Sequence, residues 1–186
     1  MTVPATAPTI RPARPEDVPA VVAMVHELAD YERAADRCRL TTAQLDTALF
    51  GPAPALFGHV AVDDDDQPVG FALWFLNFST WAGVHGIYLE DLYVRPTHRG
   101  TGAGRALLAT LAGICVERGY QRLDWWMIDW NPAARFYASI GAGPMTEWVP
   151  YRLDGAALRA LAAVGVTSAT RPDARPGRVP DRGDEA

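Results

Sequence analysis

The sequence contains no lysine: all 17 of its basic residues are arginine. That absence excludes whole mechanisms. A P-loop needs its lysine on the phosphates. A pyridoxal phosphate enzyme needs a lysine Schiff base, and a protein kinase needs a strand lysine. Serine is scarce too, at Ser79, Ser139 and Ser168 only, and no Gly-x-Ser-x-Gly elbow is present. Two cysteines, Cys38 and Cys115, cannot build a zinc site alone and form no Cys-x-x-Cys pair. No apolar run approaches the ~20 residues of a membrane span. The first eight residues have neither the basic start nor the apolar run of a signal peptide. Positive charge is also short, with 22 acidic residues against 17 basic ones and a net charge of −5. Nucleic-acid binding runs on clustered positive charge, so it is disfavoured. The expectation is a cytoplasmic protein with reduced thiols, no metal and no membrane or nucleic-acid partner.

What is there is one domain's length of chain, 186 residues, 49% of them apolar. Residues 1–7 and 165–186 have little to bury and read as a loose start and a disordered tail around a domain at 8–164. Ile10 to Ala13 reads as a strand. Pro15-Glu16-Asp17 opens a helix, followed by Val18, Val21, Val22, Val25 and Leu28 at helical spacing. Thr41 or Thr42 caps a second helix running to Leu49. Ala55–Val62 and Val69–Phe78 form a hairpin around the polar turn Asp63–Gln67. The four aspartates of that turn read as a solvated surface. A third strand spans Val84–Val94. After Gly100–Gly104 a long helix runs to a stop at Gly119, a strand covers Gln121–Ile128, and a short helix closes at Gly141. A last strand is expected over Met145–Leu153 and a last helix over Gly155–Val164. The order implies an α/β fold, a mixed, mostly antiparallel sheet flanked by helices with one strand–loop–helix crossover.

Arg99-Gly100-Thr101-Gly102-Ala103-Gly104 lies between a strand and a helix. Its glycines let backbone N–H groups approach a ligand, and the helix N-terminus favours a pyrophosphate. A dinucleotide fingerprint fails, because Arg105 and Leu107 stand where glycine would be needed. By itself the loop is equally a tight turn with no ligand. Around it stand Leu89-Glu90-Asp91-Leu92-Tyr93-Val94-Arg95-Pro96, Asp129-Trp130-Asn131-Pro132 and Phe136-Tyr137-Ala138-Ser139-Ile140-Gly141-Ala142. Together these resemble the GNAT superfamily of acetyl-CoA-dependent N-acetyltransferases over residues 8–163. Ile10-Arg11-Pro12-Ala13, Glu27-Leu28-Ala29-Asp30-Tyr31-Glu32, Tyr88-Leu89-Glu90-Asp91 and Trp148 add a likeness to the spermidine/spermine (diamine) and thialysine acetyltransferases.

The resemblance implies a GNAT-like fold, acetyl-CoA as cosubstrate, a small amine as acceptor and a homodimer. Arg99, Gly100, Thr101, Gly102, Ala103, Gly104 and Arg105 would hold the pyrophosphate. Leu92, Tyr93 and Val94, beside a splayed and bulged strand, would hold the pantetheine and thioester, and Asn131 would touch the cofactor. Tyr31, Glu32, Trp81, Glu90, Asp91 and Trp148 would line the acceptor pocket. Glu90 would relay the amine proton and Tyr137 would be the general acid for the departing sulfur.

Chemistry supports that division of work. An ammonium with a pKa near ~10.4 must lose a proton before it attacks a thioester, at a cost of ~4–5 kcal/mol near neutral pH. A positioned carboxylate can relay the proton. Strand alternation predicts that Asp91 points to the face opposite Glu90 unless a bulge intervenes. Both acids could otherwise serve only as partners of nearby arginines. Tyrosine, with a pKa of ~10, lies above a thiol at ~8.5, so Tyr137 is expected to hydrogen-bond the leaving sulfur rather than protonate it fully. It could otherwise only pack its short helix. Ser79-Thr80 stands where diamine acetyltransferases tend to carry an acid, and Arg33, Arg37 and Arg39 follow Glu32. These residues leave room for an amino-acid-like acceptor, whose carboxylate an arginine could bind. A peptide amine or a silent acetyl-CoA-binding module are the other readings.

Overall fold

The computed structural model describes residues 8–164. The loose start and the disordered tail expected from composition lie outside the described residues. The chain divides into two compact units between Trp130 and Asn131.

The first unit is a five-stranded sheet in sequential order. Its strands are β1 (Thr9–Pro12), β2 (Phe57–Val62), β3 (Pro68–Ser79), β4 (Val84–Val94) and β5 (Leu123–Asp124). Neighbours are antiparallel except β4 and β5, which are parallel. A parallel neighbour needs a crossover, supplied here by helix α3 (Ala103–Glu117). Helices α1 (Val18–Tyr31) and α2 (Thr42–Phe50) precede the hairpin strands. Val18, Val21 and Met24 of α1 and Leu45 of α2 pack with Val60, Phe71, Leu73 and Tyr93 of the sheet into one buried cluster. Thr41 caps α2, with its hydroxyl accepting from the Gln44 amide while Gln44 reaches back to the Thr41 N–H. Helix α3 buries Ala103, Leu107, Leu108, Leu111 and Cys115, the spacing of one helical face.

The second unit holds α4 (Ala134–Ser139) and α5 (Gly155–Ala163). The strand expected over Met145–Leu153 does not form; the chain is irregular there. Pro150 removes a backbone donor from its middle, and a strand needs a paired neighbour to persist. The strand expected over Gln121–Ile128 shrinks to Leu123–Asp124, paired to Ile87 and Tyr88. The cause lies on β4, whose bulge just beyond Tyr88 bends the strand and ends the pairing.

The hairpin turn is not only solvated. Asp66 accepts from Arg11 at 2.8 Å and from Arg14 at 2.9 Å. Arg11 also makes a two-pronged contact with buried Asp17, at 2.6 and 3.0 Å. One acid of the turn therefore ties the hairpin to the chain before α1.

Candidate active site

The centre of the site is the bulge. Leu73 of β3 faces Asp91, but the next residue, Trp74, faces Leu89, so Glu90 is the extra residue on β4. Without it, Leu89 and Asp91 would share a face. With it, Asp91 joins the face of its partner Leu73, the face covered by α1 and α2. The bulge thus interrupts the alternation that would set Glu90 and Asp91 on opposite faces. The two acids are close enough for the Glu90 charge to act on Asp91, and the charge of Glu32, at the end of α1, acts on it as well. Burial first, then these two like charges, push the Asp91 carboxyl up to about 6. Burial also raises the Glu32 carboxyl. Three acids of one sign meet here, and among the described residues none of them is ion-paired to an arginine, an arrangement suited to a cationic ligand.

Glu32 reaches this place because α1 stops there. The Arg33 N–H donates to Asp30 and the Ala34 N–H to Ala29, at 2.9 and 2.8 Å. This is a Schellman ending with Arg33 in the left-handed position, φ 58°. A non-glycine residue there costs roughly 1–2 kcal/mol. Beyond the turn an aromatic ladder begins. The Arg33 guanidinium lies 5.2 Å over the Trp130 ring, and Trp130 packs against Tyr31 at 6.0 Å. The Arg99 guanidinium lies 5.3 Å from the Tyr31 ring and 5.5 Å from that of Tyr93. Arg99 thus stacks on two tyrosines and also donates to the Val94 carbonyl at 2.9 Å. Burial and the neighbouring Glu27 carboxylate raise the Tyr93 hydroxyl. Tyr93 itself is buried in the α1 face, so its ring meets the loop through Arg99.

The glycine loop has the form of an anion cradle. Gly100 and Gly102 hold φ values of 80° and 93°, and a Cβ on either would meet nothing within 4 Å. Gly102 caps α3 without a side-chain hydrogen bond. The first helical bond runs from Ala106 to Gly102, so the N–H groups of Ala103, Gly104 and Arg105 precede the intrahelical ladder. Ala103 is buried and can offer only its backbone. Thr101 is turned back on the loop, its hydroxyl donating to His98. These groups fit the pyrophosphate expected from the sequence.

The neighbouring edge of β4 fits the pantetheine. The Arg95 N–H donates to Val69 of the hairpin side. Alternation then turns the backbone groups of Val94 and Leu92 the other way, toward the side where β5 pairs only with Ile87 and Tyr88. The bulge and the short β5 together leave that edge without a paired strand among the described residues, the Val94 carbonyl being taken by Arg99.

Asn131, Tyr137 and Trp148 belong to the second unit. The Asn131 carboxamide oxygen accepts from the Ala133 N–H at 3.0 Å and shapes the entry to α4. Tyr137 is half-buried on α4, its ring 5.3 Å from that of Phe136. Trp148 is exposed in the irregular segment. Trp81 sits 91% exposed in the β3–β4 turn. Six residues of extended strand separate Val84, the start of β4, from Glu90, roughly 20 Å. Within one chain, then, Trp81 does not join Glu90 and Asp91. Trp130 does join the acceptor side. From the sequence it reads as core and cofactor-cleft packing, grouped with Trp125 and Trp126; its place beside Asn131 is the available signal.

The sequence profile of the Acetyltransferase (GNAT) family matches residues 22–142, well over half the chain and including every element just described around the bulge and loop. The chain belongs to the GNAT family. This acetyltransferase is 34% identical to the thialysine N-epsilon-acetyltransferase of Bos taurus, with 82% of this chain and 96% of that protein aligned. It is 31% identical to the L-ornithine N5-acetyltransferase of Arabidopsis thaliana, over 86% of this chain and 93% of that protein. Among solved structures, an integron cassette protein of V. cholerae superposes with a TM-score of 0.70 at 30% identity, covering 84% of this chain and 98% of that one. Acetyl transfer to an amine is thus the activity of this chain's family. The GNAT profile crosses the boundary between the two units. Among the described residues no helix is long and apolar enough to cross a membrane, and no cluster of His, Cys, Asp and Glu could hold a metal ion.

Proposed function

We propose that this acetyltransferase moves the acetyl group of acetyl-CoA to the primary amine of a small basic acceptor, an amino acid with a side-chain ammonium or a polyamine. The observation that carries this reading is the meeting of Glu32, Glu90 and Asp91 beside the open edge of β4. Acids of one sign attract a cation, and the open edge and the Gly100–Gly104 loop are shaped for the cosubstrate.

The acceptor arrives as an ammonium and is held by the three acids. A proton passes from its nitrogen to the Glu90–Asp91 pair, directly or through water. Transfer from an ammonium near ~10.4 to an ordinary carboxylate near ~3.9 is uphill by ~9 kcal/mol; to a carboxyl at about 6 it is uphill by ~6. The bulge therefore removes about a third of that barrier contribution. The freed amine attacks the thioester carbon, a C–N bond forms and the C–S bond breaks. Outward backbone N–H groups of β4 stabilise the carbonyl oxygen as charge develops. Coenzyme A leaves as a thiolate, and the second proton, shed by the nitrogen as the amide forms, is the one the sulfur takes up; the family resemblance gives Tyr137 the role of hydrogen-bond donor to that sulfur.

Relatives named for thialysine and ornithine support an amino-acid acceptor, and one named as spermidine/spermine N(1)-acetyltransferase-like supports a polyamine. The homodimer implied by the resemblance belongs to the same proposal, supported by the exposed Met145, Val149 and Tyr151; light scattering tests it. A reducing, cytoplasmic location is in keeping with two free cysteines. The deciding experiment is thiol release from acetyl-CoA over a panel of amino acids, polyamines, aminoglycosides and peptides. Turnover confined to small basic amines is expected. Tight acetyl-CoA binding without turnover of any amine would make the protein a silent binding module instead.

A further inference from the structure

Three helices of this protein end in the same hydrogen-bond pattern, and one of them uses the wrong residue for it. At the end of α3, Gly119 donates to Val116 and Tyr120 to Cys115; at the end of α4, Gly141 donates to Ala138 and Ala142 to Tyr137. Each has glycine in the left-handed position, at φ 69° and 86°. Helix α1 closes with the same pair of bonds, from Arg33 to Asp30 and from Ala34 to Ala29, but places Arg33 in that position at φ 58°. Glycine would be the less strained choice. A strained position that keeps a long charged side chain points to a use for the side chain.

The surroundings say which use. Arg33 follows Glu32, whose charge reaches Asp91. Its guanidinium lies on Trp130, the ring that packs against Tyr31, and among the described residues no ion pair to Arg33 is present. Stacking leaves the edge of a guanidinium, with its fork of N–H donors, open to a carboxylate. A negative cluster and a positive fork thus stand one residue apart. That pattern complements a zwitterion carrying an extra ammonium and disfavours a polycation. We propose that Arg33 is a specificity-determining residue that binds the α-carboxylate of an amino-acid acceptor while Glu32, Glu90 and Asp91 hold its side-chain ammonium. This rests on the acetyl-transfer reading above and adds to it the residue that separates amino acids from diamines.

The test uses matched acceptors that differ only by a carboxylate: ornithine against butane-1,4-diamine, and lysine against pentane-1,5-diamine. In the wild-type protein kcat/KM for each amino acid is expected to exceed that of its diamine by at least about tenfold, the effect of one charge-assisted contact. Arg33→Gly relieves the strained position, so its melting temperature should stay within about 3 °C of wild type. It should lower kcat/KM for the amino acids about tenfold or more, mainly through KM. Diamines should be unaffected or improved, and Arg33→Lys should keep part of the preference. Equal losses on both acceptor classes, or a wild-type preference for diamines, would overturn the assignment by reducing Arg33 to a latch on Trp130. Absence of turnover with any amine, with acetyl-CoA still bound, would instead overturn the function proposed above and this assignment with it.

Discussion

Replacing Asp91 by asparagine should make the protein more stable and less active at once. The Asp91 carboxyl sits at about 6 in the fold against an ordinary 3.8. Between those values the native state holds a proton that the unfolded chain has lost. Stability therefore falls as pH rises from about 4 to about 6 and stays lower above that window. The gap corresponds to about 3 kcal/mol at ~1.36 kcal/mol per pH unit. Glu90 and Glu32 share the repulsion and relax with it, so about 2–3 kcal/mol is the expected gain for Asp91→Asn at pH 8. At pH 4 the aspartate is already protonated in the fold, and the gain should vanish. Urea melts of the two proteins at pH 4 and pH 8 measure this. The same substitution removes a proton acceptor, so kcat/KM should fall about 10²–10⁴-fold. In the wild-type protein the logarithm of kcat/KM should rise with pH through about 6, as the carboxylate forms. An Asp91→Asn protein that melts earlier at pH 8 and turns over normally would refute the reasoning at both points. The carboxylate would then be a structural partner rather than a strained, functional charge.

Tyr137→Phe should lower kcat about 10–100-fold, the loss of a hydrogen bond to a charged sulfur, with the acetyl-CoA dissociation constant within about twofold; unchanged turnover would remove Tyr137 from the mechanism. Gly102→Ala forces a side chain into φ 93° and should weaken acetyl-CoA binding by calorimetry, with a stability loss of about 1–2 kcal/mol. Tight binding by that variant would show that the loop is only a turn. Asp17→Asn should cost about 1.5–3 kcal/mol in denaturant melts, because it leaves Arg11 only the exposed Asp66 as an ion-pair partner and weakens the acceptor of the Arg14 N–H at 2.7 Å. A loss under about 1 kcal/mol would mean that the existing Asp66 contact is enough to hold Arg11.

The regular part of the fold was legible because its periods are regular. Val18, Val21, Val22 and Val25 marked α1, the Asp63–Gln67 turn marked the β2–β3 hairpin, and β4 falls where its apolar run places it, at Val84–Val94. The misread segments are those where the pattern is right and the neighbour is missing. Gln121–Ile128 has a strand's composition, but β4 bends away after Tyr88 and leaves only Leu123–Asp124 a partner. Met145–Leu153 has the aromatics of a strand and a proline in its middle. Propensity describes a segment; pairing depends on another one.

The site itself hangs on two departures from periodicity, and no period could reveal them. One extra residue at Glu90 breaks the alternation between two adjacent acids, and β5 pairs with β4 only at Ile87 and Tyr88. One non-glycine in a glycine turn sets Arg33 on Trp130 at the end of α1. Each is locally unfavourable: the bulge forfeits ladder pairing and crowds like charges, and the turn strains an arginine backbone. A chain that carries such costs in its most ordered elements, α1 and the long hairpin strand β4, needs a compensating use for them. Both departures border the same three carboxyls. The acceptor pocket is therefore the place where their use should be sought, and the matched amino-acid and diamine pairs test the two together: Asp91 through the pH dependence of turnover, Arg33 through the choice of acceptor.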